Sequence, residues 1–291
     1  MTAADLLTDE EGLLPGGPRL ALRRAGEGAP GRPFLLVHGL ASNAKVWDGV
    51  AKALAAAGRE VAAVDLRGHG LSEDTPDTYS TEAAAVDLAA LSGLLGWTGD
   101  RAPVVAGQSW GANVVLALAA EHGGVAAVAC LDGGWGWLGA QFADFDSCWR
   151  ALAPPSFDGT HWADVESWLR TAHPDWPSEG IRGTLGNLVE LPDGGVRNRL
   201  TRAHHREILH SLWADDPRLL YPRVIVPVLL MPAGSGHGGR SAGAIAEALT
   251  LLPKVKTSEY ADADHDLHAQ HPERVAQDLL ALDAWADGES A

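Results

Sequence analysis

Residues 104–118 constrain this chain more than any other stretch. Val104-Val105-Ala106 is a short apolar run of the kind that forms a buried strand, and Trp110 to Leu118 is an Ala/Val/Leu-rich run that reads as a packed helix. Between them stands Gly107-Gln108-Ser109-Trp110-Gly111, a G-x-S-x-G turn from strand to helix. The two glycines belong there because the backbone bends sharply and passes close to its neighbours, where a Cβ would clash. Such a turn exposes the Ser109 hydroxyl at the top of a sheet and aims the first N–H groups of the helix at the same point. A nucleophile and part of an anion-stabilising site arrive together.

Around this turn the chain alternates short apolar runs with helical patterns. Residues 1–18, with Gly12, Pro15, Gly16, Gly17 and Pro18, read as an irregular lead-in, and Arg19 to Arg24 as a first edge strand. Phe34 to Val37 is a buried strand ending in His38-Gly39-Leu40, and Ser42 is placed to cap the helix that follows. Val61 to Val64 is the next strand, closed by Asp65-Leu66-Arg67-Gly68-His69-Gly70, and Thr81 is placed to cap a helix to about Leu95. Val125 to Leu131 is a sixth strand ending at Asp132-Gly133-Gly134. After the region 133–221 the alternation resumes. A Val224–Met231 strand is interrupted by Pro227, which suggests an edge or a bulge. A helix over 241–252, a strand over 254–260 and a last helix opened by Pro272 complete the chain. The pattern predicts an α/β fold with a doubly wound, mostly parallel sheet, in which sites form at the carboxyl ends of strands. His38, Asp65, Ser109 and Asp132 all fall at such ends.

Residues 133–221 break the rhythm. They hold seven of the eleven tryptophans and are cut by Pro154-Pro155, Pro174 and Pro177. This stretch reads as a helical insertion after the sixth strand, leaving 1–132 and 222–291 as the core. Most of its indoles are expected to be internal packing, with some lining an apolar pocket over the sheet.

The net charge of −16 disfavours nucleic acid and anionic membranes as partners. Two cysteines, Cys130 and Cys148, make no disulfide framework. The N-terminus shows no basic segment followed by an apolar run, and no stretch is long enough to span a bilayer, so a cytoplasmic enzyme is the expectation. The sequence carries no repeat and no oligomerisation signal.

Phe34-Leu-Leu-Val-His-Gly39, Asp65-Leu-Arg-Gly-His-Gly70, Gly107-Gln-Ser-Trp-Gly111 and a late His265 seven residues before Pro272 form an ordered set. In order and spacing it resembles the α/β-hydrolase family, over residues 34–285. The resemblance implies Ser109 as nucleophile, a histidine base oriented by a carboxylate, and an oxyanion hole made by the N–H groups of Leu40 and Trp110. The insertion falls where that family usually carries its lid or cap.

His265, His268 and His271 are the candidate bases. His265 fits the family's spacing to Pro272, whereas the other two run into the final helix. With Asp264 and Asp266 these histidines match neither H-E-x-x-H nor a zinc pattern, so no metal or cofactor is expected. His38 and His69 read as hydrogen-bonding residues at strand ends. His38, Gly39, Trp135 and Trp137 are the expected substrate contacts.

The acid departs from the common pattern. The family usually carries it after the seventh strand, but here the loop 232–241 holds no Asp or Glu, only His237 bordering the site. Asp132, at the preceding strand end, is where a minority of the family carries its acid, lactonases and some lipases among them. Asp144 and Asp146 are the fallback. The expectation is a serine hydrolase acting on an ester or lactone of an apolar or aromatic small molecule. Carbon–carbon bond hydrolases, thioesterases, peptidases and cofactor-free haloperoxidases share these residues, and a slow-turnover receptor of the same fold is the alternative outside enzymes.

Overall fold

The computed structural model describes residues 7–14, 16–76, 78–234 and 240–288. The loop residues 235–239, with His237, lie outside the described residues, as do residues 1–6 of the lead-in.

Two strands open the chain, β1 (Thr8–Leu13) and β2 (Arg19–Ala25). The core alternation follows: β3 (Phe34–Val37), α1 (Asp48–Ala56), β4 (Val61–Val64), α2 (Thr81–Leu94), β5 (Val104–Gln108), α3 (Trp110–Ala117) and β6 (Ala127–Leu131). Among the described residues one eight-stranded sheet has the order β1-β2-β4-β3-β5-β6-β9-β10, where β9 is Val228–Met231 and β10 is Val255–Thr257. Every neighbouring pair from β4 to β10 is parallel, and only β2 runs against the rest.

A parallel sheet is covered on both faces, so its strands are apolar without interruption. The side chains of β3 divide by alternation. Leu35 and Val37 join one core layer with α2 and α3. Phe34 and Leu36 join the opposite layer with α1 and α11 (Pro272–Ala286). Because α1 and α2 lie on opposite faces, the sheet switches direction of winding between β3 and β5. In open sheets of this kind, ligands bind at the carboxyl ends of the strands that flank such a switch.

Several sequence expectations are corrected here. The stretch 8–13 is a strand, because Glu11, Asp9 and Glu10 meet Arg19, Arg23 and Arg24 across the β1–β2 pair. Cross-strand charge pairing, not apolar alternation, holds it. β2 is consequently not the edge. Asn43, rather than Ser42, caps the turn at Ala44–Trp47 that leads into α1, and Ser80, one residue before Thr81, caps α2 through the Ala83 N–H (3.1 Å). β9 lies inside the sheet, between β6 and β10; it starts after Pro227, so the missing N–H never falls within the ladder.

Residues 133–221 carry α4 (Leu138–Gln141), α5 (Phe145–Leu152), α6 (Trp162–Ala172), α7 (Ser178–Leu185) and α8 (Arg202–Ala214). They also carry an antiparallel hairpin, β7 (Leu188–Glu190) with β8 (Val196–Asn198), which the sequence reading missed. Of the seven tryptophans there, only Trp135 and Trp176 are buried, and Trp168 is 63% exposed. Trp137, Trp149, Trp162 and Trp213 are half-buried, and Trp162 packs against the apolar cluster of this region. A small apolar cluster of Val165, Leu169, Trp176, Ile181 and Leu185 takes in Ala269 from the sheet side. That residue belongs to α10 (Leu267–Gln270), while α9 (Arg240–Leu251) packs beyond β9.

Candidate active site

Ser109 stands between β5 and α3 at φ 53° and ψ −118°, in the left-handed region that side chains avoid. Close approach, not backbone freedom, dictates the glycines around it. A Cβ on Gly107 would lie 2.1 Å from Gly111 O, and one on Gly111 would lie 2.6 Å from both Val37 O and His38 O. A Cβ on Gly133 would lie 2.3 Å from Ser109 O, and one on Gly39 would lie 3.0 Å from Ser109 Cβ. Three strand ends thus close on one serine: β3 through Gly39, β5 through Ser109 itself and β6 through Gly133.

Asp132 is brought beside Ser109 by register. Gln108 pairs with Leu131, and Ser109 N–H donates to Leu131 O (2.9 Å), so the next residue on each strand forms the neighbouring pair. Asp132 sits at φ 41°, a conformation that Asp tolerates better than most residues. Among the described residues, Ala233 N–H reaches its Oδ1 (3.2 Å) and His265 Nδ1–H reaches its Oδ2 (2.6 Å). The Asp132 side chain is 4% exposed and that of His265 43% exposed. With Nδ1 carrying the proton, His265 Nε2 is left as the acceptor.

The electrostatics suit that assignment. Burial pulls the His265 pKa down, but its hydrogen bond to Asp132 and the charges of Asp266 and Asp132 outweigh it and leave it above the ordinary value. His268, the other nearby candidate, is fully buried against the Trp47 ring (centroids 4.2 Å), and burial pushes it down to about 3. His271 sits at the turn between α10 and α11, beside the Tyr260 ring. Asp144 is occupied as the cap of α5, accepting from Ser147 N–H, and Asp146 faces Arg206 at the surface.

Among the described residues, the N–H groups of Leu40 and Trp110 have no acceptor. One begins α3; the other belongs to the turn Gly39–Ser42, closed by Ser42 N–H to Gly39 O (3.2 Å). Both flank Ser109.

The expected substrate contacts fare differently. Gly39 lies against Ser109. His38 is corrected: its ring is fully buried, Leu66 N–H donates to its Nε2 (3.0 Å), and its Nδ1–H donates to Gly39 O (2.7 Å). Both ring nitrogens are used in holding the loop. The Trp137 indole N–H goes to Trp213 O (3.0 Å), and Arg218 lies over its ring. Trp135 is buried in the core layer that contains α2 and α3.

Two arrangements at the site were not anticipated. Gln108 Nε2–H donates to His265 O (3.1 Å), tying the residue before the nucleophile to the base loop. Asp264, immediately before His265, accepts from His173 Nδ1–H and Trp176 Nε1–H (both 3.0 Å), which fastens the insertion to the same loop. Only the buried amide inside the G-x-S-x-G turn was a local signal; the His173–Asp264 pairing joins segments far apart in sequence.

A family model described as the alpha/beta hydrolase fold matches residues 32–272. The chain belongs to the α/β-hydrolase fold family. It is 27% identical over 251 residues to 2-(acetamidomethylene)succinate hydrolase from Mesorhizobium japonicum (strain LMG 29417 / CECT 9101 / MAFF 303099), covering 85% of this chain and 86% of that protein. It is also 27% identical over 263 residues to a non-heme haloperoxidase of Rhodococcus erythropolis, covering 87% and 92%. A crystal structure of E-2-(acetamidomethylene)succinate hydrolase superposes with a TM-score of 0.77 at 24% identity, covering 95% of this chain and 99% of that one. The relatives agree on fold and differ in chemistry, so family membership points to a hydrolase-type enzyme without choosing its bond.

A cavity of about 460 Å³ opens away from this site, beside β1 and β2, lined by Glu10, Arg23, Lys45, Asp65 and Leu71 among others. It includes none of Ser109, Asp132 or His265. Among the described residues no helix is long and apolar enough to cross a membrane.

Proposed function

We propose that this protein is a cofactor-free serine hydrolase that cleaves a carboxylic ester or lactone of an apolar or aromatic small molecule through an acyl-enzyme. The observation that carries the reading is the Asp132–His265 hydrogen bond of 2.6 Å, one strand over from Ser109 in its strained turn. Ser109 Oγ attacks the carbonyl carbon while His265 Nε2 takes its proton, and Asp132 stabilises the imidazolium that forms. The N–H groups of Leu40 and Trp110 hold the carbonyl oxygen as it gains negative charge; such donors are each worth about 10²–10³ in rate. The carbon–oxygen bond to the leaving alcohol breaks as His265 returns the proton to that oxygen. Water then gives a proton to His265, attacks the acyl-enzyme and releases the acid, and Ser109 recovers its proton. Residues 133–221 act as the cap over this centre.

A second reading follows the Mesorhizobium japonicum relative, whose name gives 2-(acetamidomethylene)succinate as its substrate. Wild type and Ser109→Ala incubated with aryl esters, thioesters, graded lactones and 2-(acetamidomethylene)succinate separate the readings by acid release. Ser109-dependent opening of lactones or cleavage of esters is the expected result. Turnover restricted to 2-(acetamidomethylene)succinate selects the second reading, and no Ser109-dependent turnover on any of them refutes both.

A further inference from the structure

Asp65-Leu66-Arg67-Gly68-His69-Gly70 is the sequence motif that the mechanism leaves unused, and its histidine lies beside the proposed oxyanion hole. His69 is 1% exposed. Its Nδ1–H donates to Arg67 O (2.9 Å), which leaves Nε2 as an acceptor, and Ala41 N–H donates to that nitrogen (3.3 Å). Ala41 is the residue after Leu40, and it holds φ 59°, a position in a tight turn where glycine is usual. A non-glycine residue stays in that conformation only when its surroundings hold it there. The Ala41 N–H bond to His69 does so from one side, and the His38 bond to Gly39 O does so from the other. The face of the His69 ring stacks on the Trp110 ring (centroids 5.6 Å, planes 29° apart), and the Trp110 indole N–H is tied to Thr81 Oγ1 (3.1 Å). One imidazole therefore braces both segments whose N–H groups would receive the oxyanion.

We infer that His69 is a positioning residue that sets the oxyanion hole, by accepting the Ala41 N–H behind Leu40 and by bracing the Trp110 ring. This rests on the serine-hydrolase reading above for its consequence in rate, but not for the contact itself. The role requires a neutral imidazole, because a protonated Nε2 would point a hydrogen at the Ala41 N–H. The groups around the ring favour neutrality. Burial holds the His69 pKa well below the ordinary value, with His38 from the β3 loop and His204 and His205 from α8 adding to the effect, while Arg67 O opposes it.

The test compares His69→Leu, which removes the acceptor, with His69→Gln, whose side-chain oxygen reaches the place of Nε2. On an aryl ester that wild type cleaves, His69→Leu is expected to lower kcat about tenfold or more with KM within about twofold, and His69→Gln to recover most of the loss. A folded His69→Leu with wild-type kcat overturns the inference, and so does equal loss in both variants, since packing alone would then explain it. The contact is also read without turnover, so failure of the hydrolase reading stays distinguishable. In 15N-histidine-labelled wild type, His69 is expected as the neutral Nδ1–H tautomer throughout pH 6–8. In 15N-alanine-labelled protein the Ala41 amide signal is expected to move in His69→Gln far less than in His69→Leu. An Nε2–H tautomer or an imidazolium in that range overturns the inference even if neither variant folds.

Discussion

Asp132→Asn probes the site most sharply, because the structure dictates how the new amide would orient. Ala233 N–H donates to Asp132 Oδ1, and the β9 end that carries it is fixed within the sheet. The asparagine must therefore turn its only acceptor, the carbonyl oxygen, towards Ala233 and its NH2 towards His265. The NH2 cannot accept from Nδ1–H, so Nδ1 becomes the acceptor and the proton moves to Nε2, the nitrogen that has to take the Ser109 proton. The tautomer is inverted with the geometry kept, a change that costs about 10⁴ in turnover in the serine-protease triad. That factor corresponds to about 5.4 kcal/mol at the barrier. The fold is expected to survive, since Asn adopts φ 41° as readily as Asp. The assay is kcat/KM on an aryl ester, with circular dichroism and Tm as controls for folding. A folded variant within about tenfold of wild type would refute the reasoning.

Three further outcomes follow from the same geometry. The base must be neutral to accept a proton and its pKa is raised, so kcat/KM is expected to fall as pH drops through a value above 6.5, and a pH–rate profile with its acid limb below 6.5 would contradict this. Asp87→Asn breaks the buried pair in which Arg67 Nε and Nη2 reach Asp87 Oδ2 and Oδ1 (both 2.8 Å), and denaturant unfolding should show a loss of about 3–5 kcal/mol. Gly133→Ala places a Cβ 2.3 Å from Ser109 O; purified folded variant is expected to lose activity far beyond its change in Tm, measured side by side with wild type.

What was readable in the sequence was what is encoded locally. The apolar strands β3 to β6 and the turn at Ser109 each declare themselves within a few residues, and Asp132 stood out because the loop 232–241 holds no carboxylate. β1 escaped because its pairing with β2 rests on Asp9, Glu10 and Glu11 meeting arginines, and a charged strand has no apolar period to detect. Pro227 misled in the other direction: it marks the residue before an inner strand, not an edge. His38 looked like a substrate contact by position alone, yet its ring nitrogens are consumed by Leu66 and Gly39. The ties from His173 and Trp176 to Asp264 join residues about ninety apart, and only the folded chain brings them together.

The central claim is that Ser109 forms an acyl-enzyme. Intact-protein mass spectrometry during turnover of an aryl ester, on wild type and Ser109→Ala, tests it most directly. The account predicts a transient mass gain equal to the acyl group on wild type, carried by the peptide containing Ser109, and neither adduct nor product from Ser109→Ala. Product release that persists in Ser109→Ala at the wild-type rate would contradict it.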